Sequence, residues 1–498
     1  MAMFLNLPFG CLKRGMLCVF ATSLFGEPFL APDDPFLRHE IRLLQDYGGL
    51  SATTGTWPLS LGGISQRLKD GEVEWDHDLV GVTIARESQM GFSPMRTKLG
   101  LADNRVTVRS FGSEPRAGFQ PGIVTSWMND RFAARISIST LHGVENDWKG
   151  RKDEGLTVDG SYLAAHLGNW SGSVGKIDRW WGPGWDGSLI MSTNARPIPA
   201  VSLDRRVPEP FESNWLSWIG PWSFHSFVGR MEKERHVPEP FLWGMRVEFA
   251  PTPVDGLEIG LFRMMQLGGE GRPQGLSTWI DAFLSQDNYG ANSRHQDKSK
   301  EPGNQLAGLD FRWRPFDLPF AVYGQVAGED EDKFLPNALF FQYGVETWAT
   351  LESSTFRFFA EYADLTSTWW TDDPNSRNVT YGHSIYPDGY RYRGRTIGHW
   401  ADQDSQILSL GGILLGNDGI GWGGTLRTGK LNEDGTGNSS VSNGYSTELL
   451  SFEVYNSRVY SRYDMEVRTS LGWESLVPEN PLPKDVGFTA LLHISRTF

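Results

Sequence analysis

The stretch Val486–Phe498, VGFTALLHISRTF, puts Phe488, Ala490, Leu492, Ile494 and Phe498 on one face and Thr489, His493, Ser495 and Thr497 on the other. A period of two is the pattern of a β-strand with one apolar side. Arg496 interrupts the apolar face near its end, where a long cation can reach past apolar surroundings to an interface. Such a strand fits a half-buried sheet of a soluble sandwich. It fits equally the last strand of a sheet that closes on itself, pairing with the first and leaving no free edge.

Composition separates the two. At 498 residues the chain exceeds the usual limit of about 250 to 300 residues for one hydrophobic core, and no linker divides it. A large closed barrel needs no single growing core. Mean hydropathy is −0.36, aromatics make up 13% and there are 20 Trp. After residue 30 no run approaches the roughly 20 apolar residues of a membrane helix. A polar chain rich in Trp, Phe and Gly suits a transmembrane barrel whose side chains alternate between lipid and a wet lumen.

At the N-terminus, Lys13 and Arg14 precede an apolar run from Gly15 to Gly26, the order of a secretory signal. Residues 1–26 are expected to be removed. Cys18 follows Met16 and Leu17, without the small residue that lipidation requires. Both cysteines, Cys11 and Cys18, leave with the signal, which excludes disulfides, zinc-thiolate sites and thiol redox chemistry from the mature chain. Losing two cations and no acid takes the formal charge from −14 to about −16, so nucleic acid is a poor partner. Acidic loops would sooner hold divalent cations or neutral and basic sugars.

Residues 27–100 read as a small, partly helical periplasmic segment before the barrel. Asp34 caps a helix with Pro35 at its first position; Leu37, Ile41 and Leu44 share a face, and Gly48 stops it. A second helix is expected from Pro58 to Leu68, interrupted by Gly62 and Gly63. Glu72 to Glu87 mixes both kinds of signal. The barrel, residues 101–498, is expected to begin near Arg105, where Val106 and Val108 alternate with Arg105, Thr107 and Arg109. Leu309, Phe311 and Trp313 alternate with Asp310, Arg312 and Arg314. Tyr463, Met465, Val467 and Leu471 alternate with Arg462, Asp464, Glu466 and Arg468. A soluble sandwich turns its apolar face inward and has no need of such dense charge of both signs opposite.

Short connections (Met128 to Phe132, Leu167 to Trp170, Pro251 to Gly256, Arg314 to Leu318, Leu351 to Ser354, Gly416 to Ile420) alternate with long ones. The long ones are His142 to Glu154, Leu267 to Gly303, Asp364 to Asp404, Leu431 to Tyr445 and Gly472 to Asp485. Short periplasmic turns and long external loops are the outer-membrane rule. About nineteen segments qualify as strands, and a chain with both ends in the periplasm needs an even number. One candidate within Trp185 to Arg206 therefore does not span. The expected fold is all-β, an 18-stranded antiparallel transmembrane β-barrel.

The run IDRWWGPGWDGSLIMSTNARPIPAVSLDRRVPEPFESNWLSWIGPWSFHSFVGRME, residues 177–232, resembles the Wzi family of capsule-assembly outer-membrane proteins. So do RHVPEPFLWGMRVEF (235–249), GGEGRPQ (268–274), EPGNQLAGLDFRWRP (301–315), FRFFAEYADLTS (356–367) and DGYRYRGRTIGH (388–399). The resemblance implies an eighteen-stranded barrel in the bacterial outer membrane, an N-terminal helical plug, and a lectin-like role in holding capsular polysaccharide at the cell surface. Lipid, lipopolysaccharide and the barrel-assembly machinery would be its other partners.

Carbohydrate also suits the residues themselves. Flat rings cover the C–H faces of sugars and planar polar groups take their hydroxyls. Arg179, Trp180, Trp181, Trp185 and Asp186 cluster in sequence, and Trp369, Trp370, Tyr390, Arg391 and Tyr392 lie in an expected external loop. These are the candidate polysaccharide-binding residues. The same rings would serve equally as an interfacial girdle or as wedges in Gly-Pro-Gly turns.

No nucleophile elbow is present. Acid pairs such as Asp372 with Asp373, or Glu329 with Asp330, read as solvated loop charge. Asn432 to Ser440 lacks the spacing of a calcium loop. Asp310, Arg312, Glu361, Arg427, Asp464 and Arg468 read as lumen charges, structural first. No catalytic residue, metal or cofactor is expected. A sugar-selective porin, differing only in an open lumen, is the alternative to the lectin.

Overall fold

The computed structural model describes residues 29–68, 79–87, 89–103, 108–112, 115–144, 151–283, 303–332, 335–367, 377–436, 439–442, 444–479 and 483–498. Eighteen antiparallel strands close into one barrel. They are β1 (Gly91–Phe92 and Arg96–Asp103, both paired with the next strand), β2 (Phe119–Met128), β3 (Phe132–Leu141), β4 (Gly155–Thr157 and Tyr162–Leu167, both paired with β3), β5 (Trp170–Gly175) and β6 (Ala200–Arg205). Then come β7 (Trp222–Arg230), β8 (Phe241–Phe249), β9 (Leu257–Leu267), β10 (Gly303–Trp313), β11 (Phe320–Asp332) and β12 (Leu335–Leu351). The wall ends with β13 (Ser354–Asp364), β14 (Gln406–Gly416), β15 (Ile420–Leu431), β16 (Thr447–Tyr460), β17 (Met465–Pro478) and β18 (Asp485–Thr497).

The closing strand does what its pattern predicts: β18 pairs with β1, Ala490 opposite Asp103 and Thr497 opposite Arg96. Phe488 points outward and is exposed, while Ser495 is buried on the inner face. The alternation on β10 sorts the same way, with Leu309 and Phe311 exposed outside and Asp310 and Arg312 buried inside. A side chain that alternates between lipid and a polar interior needs a strand, and that requirement writes the fold into the sequence.

Several boundaries move. The barrel begins at β1, ahead of the expected start: Val108 and Arg109 belong to no strand, and Arg105 to Thr107 lie outside the described residues. Of the candidates in Trp185 to Arg206, Ala200–Arg205 spans as β6 and Trp185 to Pro199 is loop. β17 runs on to Pro478, through what reads in sequence as the start of a long loop. Arg462 to Asp464 form the turn before it, with Asp464 left-handed at φ 46°, so the alternation starts only at Met465. Two connections also break the short–long rule. Residues 206–221 make a long link at the short-turn end, and β11 and β12 meet closely at the long-loop end.

Among the described residues, three helices precede the wall: α1 (Pro35–Asp46), α2 (Leu61–Arg67) and α3 (Leu79–Glu87). The carboxylate of Asp34 accepts the backbone N–H of Phe36 and Leu37, and Gly48 takes φ +80° just beyond the helix end. The expected second helix is confined to α2, and α3 forms where the local signals are mixed.

Candidate functional site

Helix α1 lies inside the barrel at the short-turn end, and its two faces explain the charge on the inner wall. Leu37, Ile41 and Leu44 pack into a cluster with Trp57, Leu61, Ile64, Phe111 and Trp180. The other face carries Arg38, Arg42 and Asp46. Asp46 pairs with Arg312 of β10 at 2.7 Å and Arg357 of β13 at 3.0 Å; Glu346 of β12 takes the same two guanidiniums at 2.6 and 2.7 Å. Arg42 pairs with Glu258 of β9 at 2.6 Å. Buried charge is tolerable only when each ion is paired and hydrogen-bonded, and alternating signs achieve that here. His39, beside Arg357, is held well below its ordinary pKa by burial and by that cation, so it sits in the lattice neutral.

The loop between β5 and β6, residues 176–199, runs back into the lumen instead of outward. Trp180 and Trp181 pair as a short ribbon with Thr56 and Trp57. Arg38 donates to the carbonyls of Pro183 and Gly184 at 3.0 and 2.7 Å. Its guanidinium, 4.4 Å from the Trp185 ring centroid, is lowered to about 9 by burial and by the neighbouring Arg42. The Glu361 carboxylate accepts three successive backbone N–H groups, from Trp185 (2.7 Å), Asp186 (3.2 Å) and Gly187 (3.0 Å). A side chain at Gly187 would overlap the His399 imidazole, so only glycine lets the loop pass. Asp186 accepts from Arg427 of β15 at 2.8 Å, from Ser409 at 2.7 Å and from the Trp400 indole at 3.3 Å.

The long loop between β13 and β14 folds down on this segment. Tyr381 and Tyr390 donate their hydroxyls to the carbonyls of Leu189 and Ile190, at 2.6 and 2.8 Å. Arg391 grips Asp402 with two bonds of 2.8 and 2.7 Å. Arg235, from the β7–β8 loop, donates to the carbonyls of Arg391 and Gly389 at 2.9 and 3.0 Å. At the outer rim Arg393 and Gly394 form the turn of a small hairpin, with φ +47° and +83°, and the exposed Arg393 pairs with Asp153 and lies over the Tyr392 ring at 5.6 Å. The hairpin turn signal, Arg-Gly between two alternating pairs, is where the sequence could have marked Arg393.

Asp404, at the foot of this lid, has its carboxyl raised to about 7, mainly by burial, with Asp434 and Glu433 adding repulsion. The folded value lies above the unfolded one of about 4, so this stabilisation is complete below about pH 4 and is lost as pH rises through about 7. Amide exchange at residues 402–405 and 432–434, corrected for intrinsic rate, should therefore be faster at about pH 8 than at about pH 5. Asp404→Asn should remove most of that difference; an unchanged pH dependence would assign it to another group.

The structure gathers most of the sequence-predicted binding residues, but as a core. Trp180 is 0% exposed, Trp181 1%, Trp185 5%, Asp186 1%, Arg179 8%, Tyr390 0%, and Arg391 and Tyr392 2% each. These eight are therefore withdrawn from the outer surface, with Trp185 and Asp186 bordering an internal cavity, and neither the girdle nor the turn-wedge reading anticipates rings packed in the lumen. Trp369 and Trp370 lie outside the described residues, as do Asp372 and Asp373. Glu329 is buried and accepts the Tyr381 backbone N–H. Of the lumen charges, Asp310 pairs with Arg246, and Arg468 with Glu466 and Asp34, whereas Asp464 belongs to a turn.

The remaining space is a cavity of about 520 Å³ between the N-terminal segment and strands β13 to β18, β1 and β3. Turn residues Asn417, Asp418 and Ser461 place it at the short-turn end, and it reaches inward as far as Trp185 and Asp186. None of its lining residues belongs to the loops at 231–240, 377–405 or 432–446.

The model of the capsule assembly protein Wzi family matches residues 90–481. The solved structure of Wzi, an outer-membrane protein involved in group 1 capsule assembly in Escherichia coli and described as a carbohydrate-binding β-barrel, superposes with a TM-score of 0.78 at 26% identity, covering 94% of this chain and 99% of that one. An uncharacterized 55.8 kDa protein in the cps region of Klebsiella pneumoniae is 33% identical over 325 residues, 64% of this chain. The match spans 61% of that relative's length. A family match over most of the chain, on a closed barrel with an exposed apolar belt, makes this an outer-membrane protein of the Wzi capsule assembly family.

Proposed function

We propose that the chain retains capsular polysaccharide on the outer face of the barrel, as a lectin and not as a porin or an enzyme, with its N-terminal segment plugging the periplasmic mouth. The observation that supports this best is the double closure of the lumen. The α1 charge lattice occupies one end beside the cavity, and the loop 176–199 latched under residues 377–405 fills the other. A solute would have to unmake both. A knitted outer lid, by contrast, offers a preorganised surface on which a polymer can be held without ordering a loop.

On this reading the contacts are made by groups the lid presents, Arg393 foremost. A charge-assisted hydrogen bond is worth about 1.5 to 3 kcal/mol, so Arg393→Ala should weaken retention of purified capsular polymer about tenfold or more. Arg393→Lys should recover only part of it, since lysine lacks the planar fork. Planar-bilayer recording of the same preparation completes the test. Steady conductance blocked by a small sugar, without retention of polymer, would favour the porin and overturn this proposal.

A further inference from the structure

The connection between β9 and β10 contains a helix, α4 (Leu276–Phe283), that sits outside the barrel. Its inner side rests on wall residues that point away from the lumen. Trp279 meets Phe241 and Trp243 of β8 at ring-centroid distances of 5.4 and 5.7 Å, and Phe283 stacks on Trp243 at 5.6 Å and 14°. Ala282 is buried against Met265 and Leu267 of β9. Arg263, on the outer face of β9, donates to the last carbonyls of the helix, Ala282 at 2.9 Å and Phe283 at 3.0 Å. A cation there also opposes the negative end of the helix dipole.

The barrel covers only part of the apolar arc. At about 100° per residue, Leu276, Ile280 and Phe283 share a stripe beside the barrel-facing one, while Ser277 and Asp281 lie opposite it. Those three are 77%, 49% and 52% exposed. A short helix with an apolar stripe left open on a soluble surface would be a liability. This one adjoins the lipid belt: Leu261, on the same outer face of β9 and two residues from Arg263, is exposed, as are Leu309 and Phe311 of β10.

We infer that α4 is an interfacial helix that lies along the barrel rim and sets Leu276, Ile280 and Phe283 into the acyl boundary of the outer leaflet. The occupant of the open stripe is membrane lipid. Adjacency decides this: the stripe lies next to the exposed apolar belt of β9 and β10, the Arg263–Gln305 pair between them is spent on the helix end and on itself, and the polar side of the helix turns away from the belt. Amphipathic helices bind membranes in this manner, in the plane of the interface.

Site-directed spin labelling tests it. The two cysteines are Cys11 and Cys18, so in a Cys11→Ser, Cys18→Ser background a nitroxide can be placed at Ile280→Cys, Leu276→Cys or Ser277→Cys of the full barrel in phospholipid vesicles. Expected are oxygen collisions several-fold above those with a water-soluble nickel chelate at 280 and 276, and the reverse at 277. Equal access of the chelate to 280 and 277 would place the helix in water and overturn the inference. Protection of 280 from both reagents would overturn it too, since protein, a second copy included, would then cover the stripe. Leu276→Glu with Ile280→Glu should leave the barrel heat-modifiable but raise label mobility at 277; unchanged mobility would mean that the wall alone holds the helix, and would count against lipid contact.

Discussion

Replacing Asp186 with alanine is expected to destabilise the folded barrel by about 3 to 5 kcal/mol, the usual cost of leaving a buried ion without its partner. The stranded ion is Arg427, which Asp186 engages at 2.7 and 2.8 Å and whose other carboxylate, Glu453, is 3.6 Å away. Ser409 and Trp400 lose their acceptor as well. Urea titration of the purified protein, followed by its heat-modifiable mobility, measures the loss. Asp186→Leu combined with Arg427→Met should recover much of it, because removing both ions leaves no unpaired charge. Burial alone would raise the Asp186 carboxyl, but the charge and hydrogen bond of Arg427, with the Ser409 hydroxyl and His399, together hold the group below its ordinary value. Its stabilisation is therefore present above about pH 4 and is lost as pH falls through the depressed folded value. Unchanged stability with lost polymer retention would return Asp186 to the role of a glycan contact.

Trp180→Ala and Trp181→Ala should each cost about 3 to 5 kcal/mol, as large-to-small changes in a closed core do. Trp180 meets Phe111 edge-on at 5.4 Å and Trp181 meets Phe227 at 5.6 Å, one on either side of the ribbon with Thr56 and Trp57. Their indole N–H groups have no acceptor among the described residues, so packing carries the loss. Trp180→Phe and Trp181→Phe should then restore most of the stability. Polymer retention by the alanine variants should fall only as far as the folded fraction does. A variant that stays fully folded yet releases polymer would put these rings back at the glycan.

Much of the architecture was legible in the chain. Leu309 against Asp310, or Phe488 against Thr489, announces a strand with lipid on one side, because the two solvents select alternate residues over the whole strand height. Loop-length parity led to eighteen strands, and the cap Asp34-Pro35 marked α1, since both are local rules. What the sequence could not tell is where a loop goes once the strands are set. Arg179 to Asp186 and Tyr390 to Tyr392 look like surface aromatics in a loop, and the same residues serve equally as a core. Their partners lie far off: Asp186 and Arg427 are 241 residues apart, and Asp46 and Arg357 are 311 apart. No periodicity links such positions. Helix α4 was likewise hidden in a connection read only by its length.

The sequence alone therefore determined the barrel, its strand parity and its capped first helix, since each follows from contacts within a strand or a turn. Only the tertiary structure decided that helix α1 and the loop 176–199 occupy the lumen beside a cavity of about 520 Å³, that Trp180, Trp181 and Trp185 pack there as core, and that Arg393 stands exposed at the outer rim. Those outcomes depend on charges and rings from opposite walls meeting in a closed space, and closure is a property of the whole sheet.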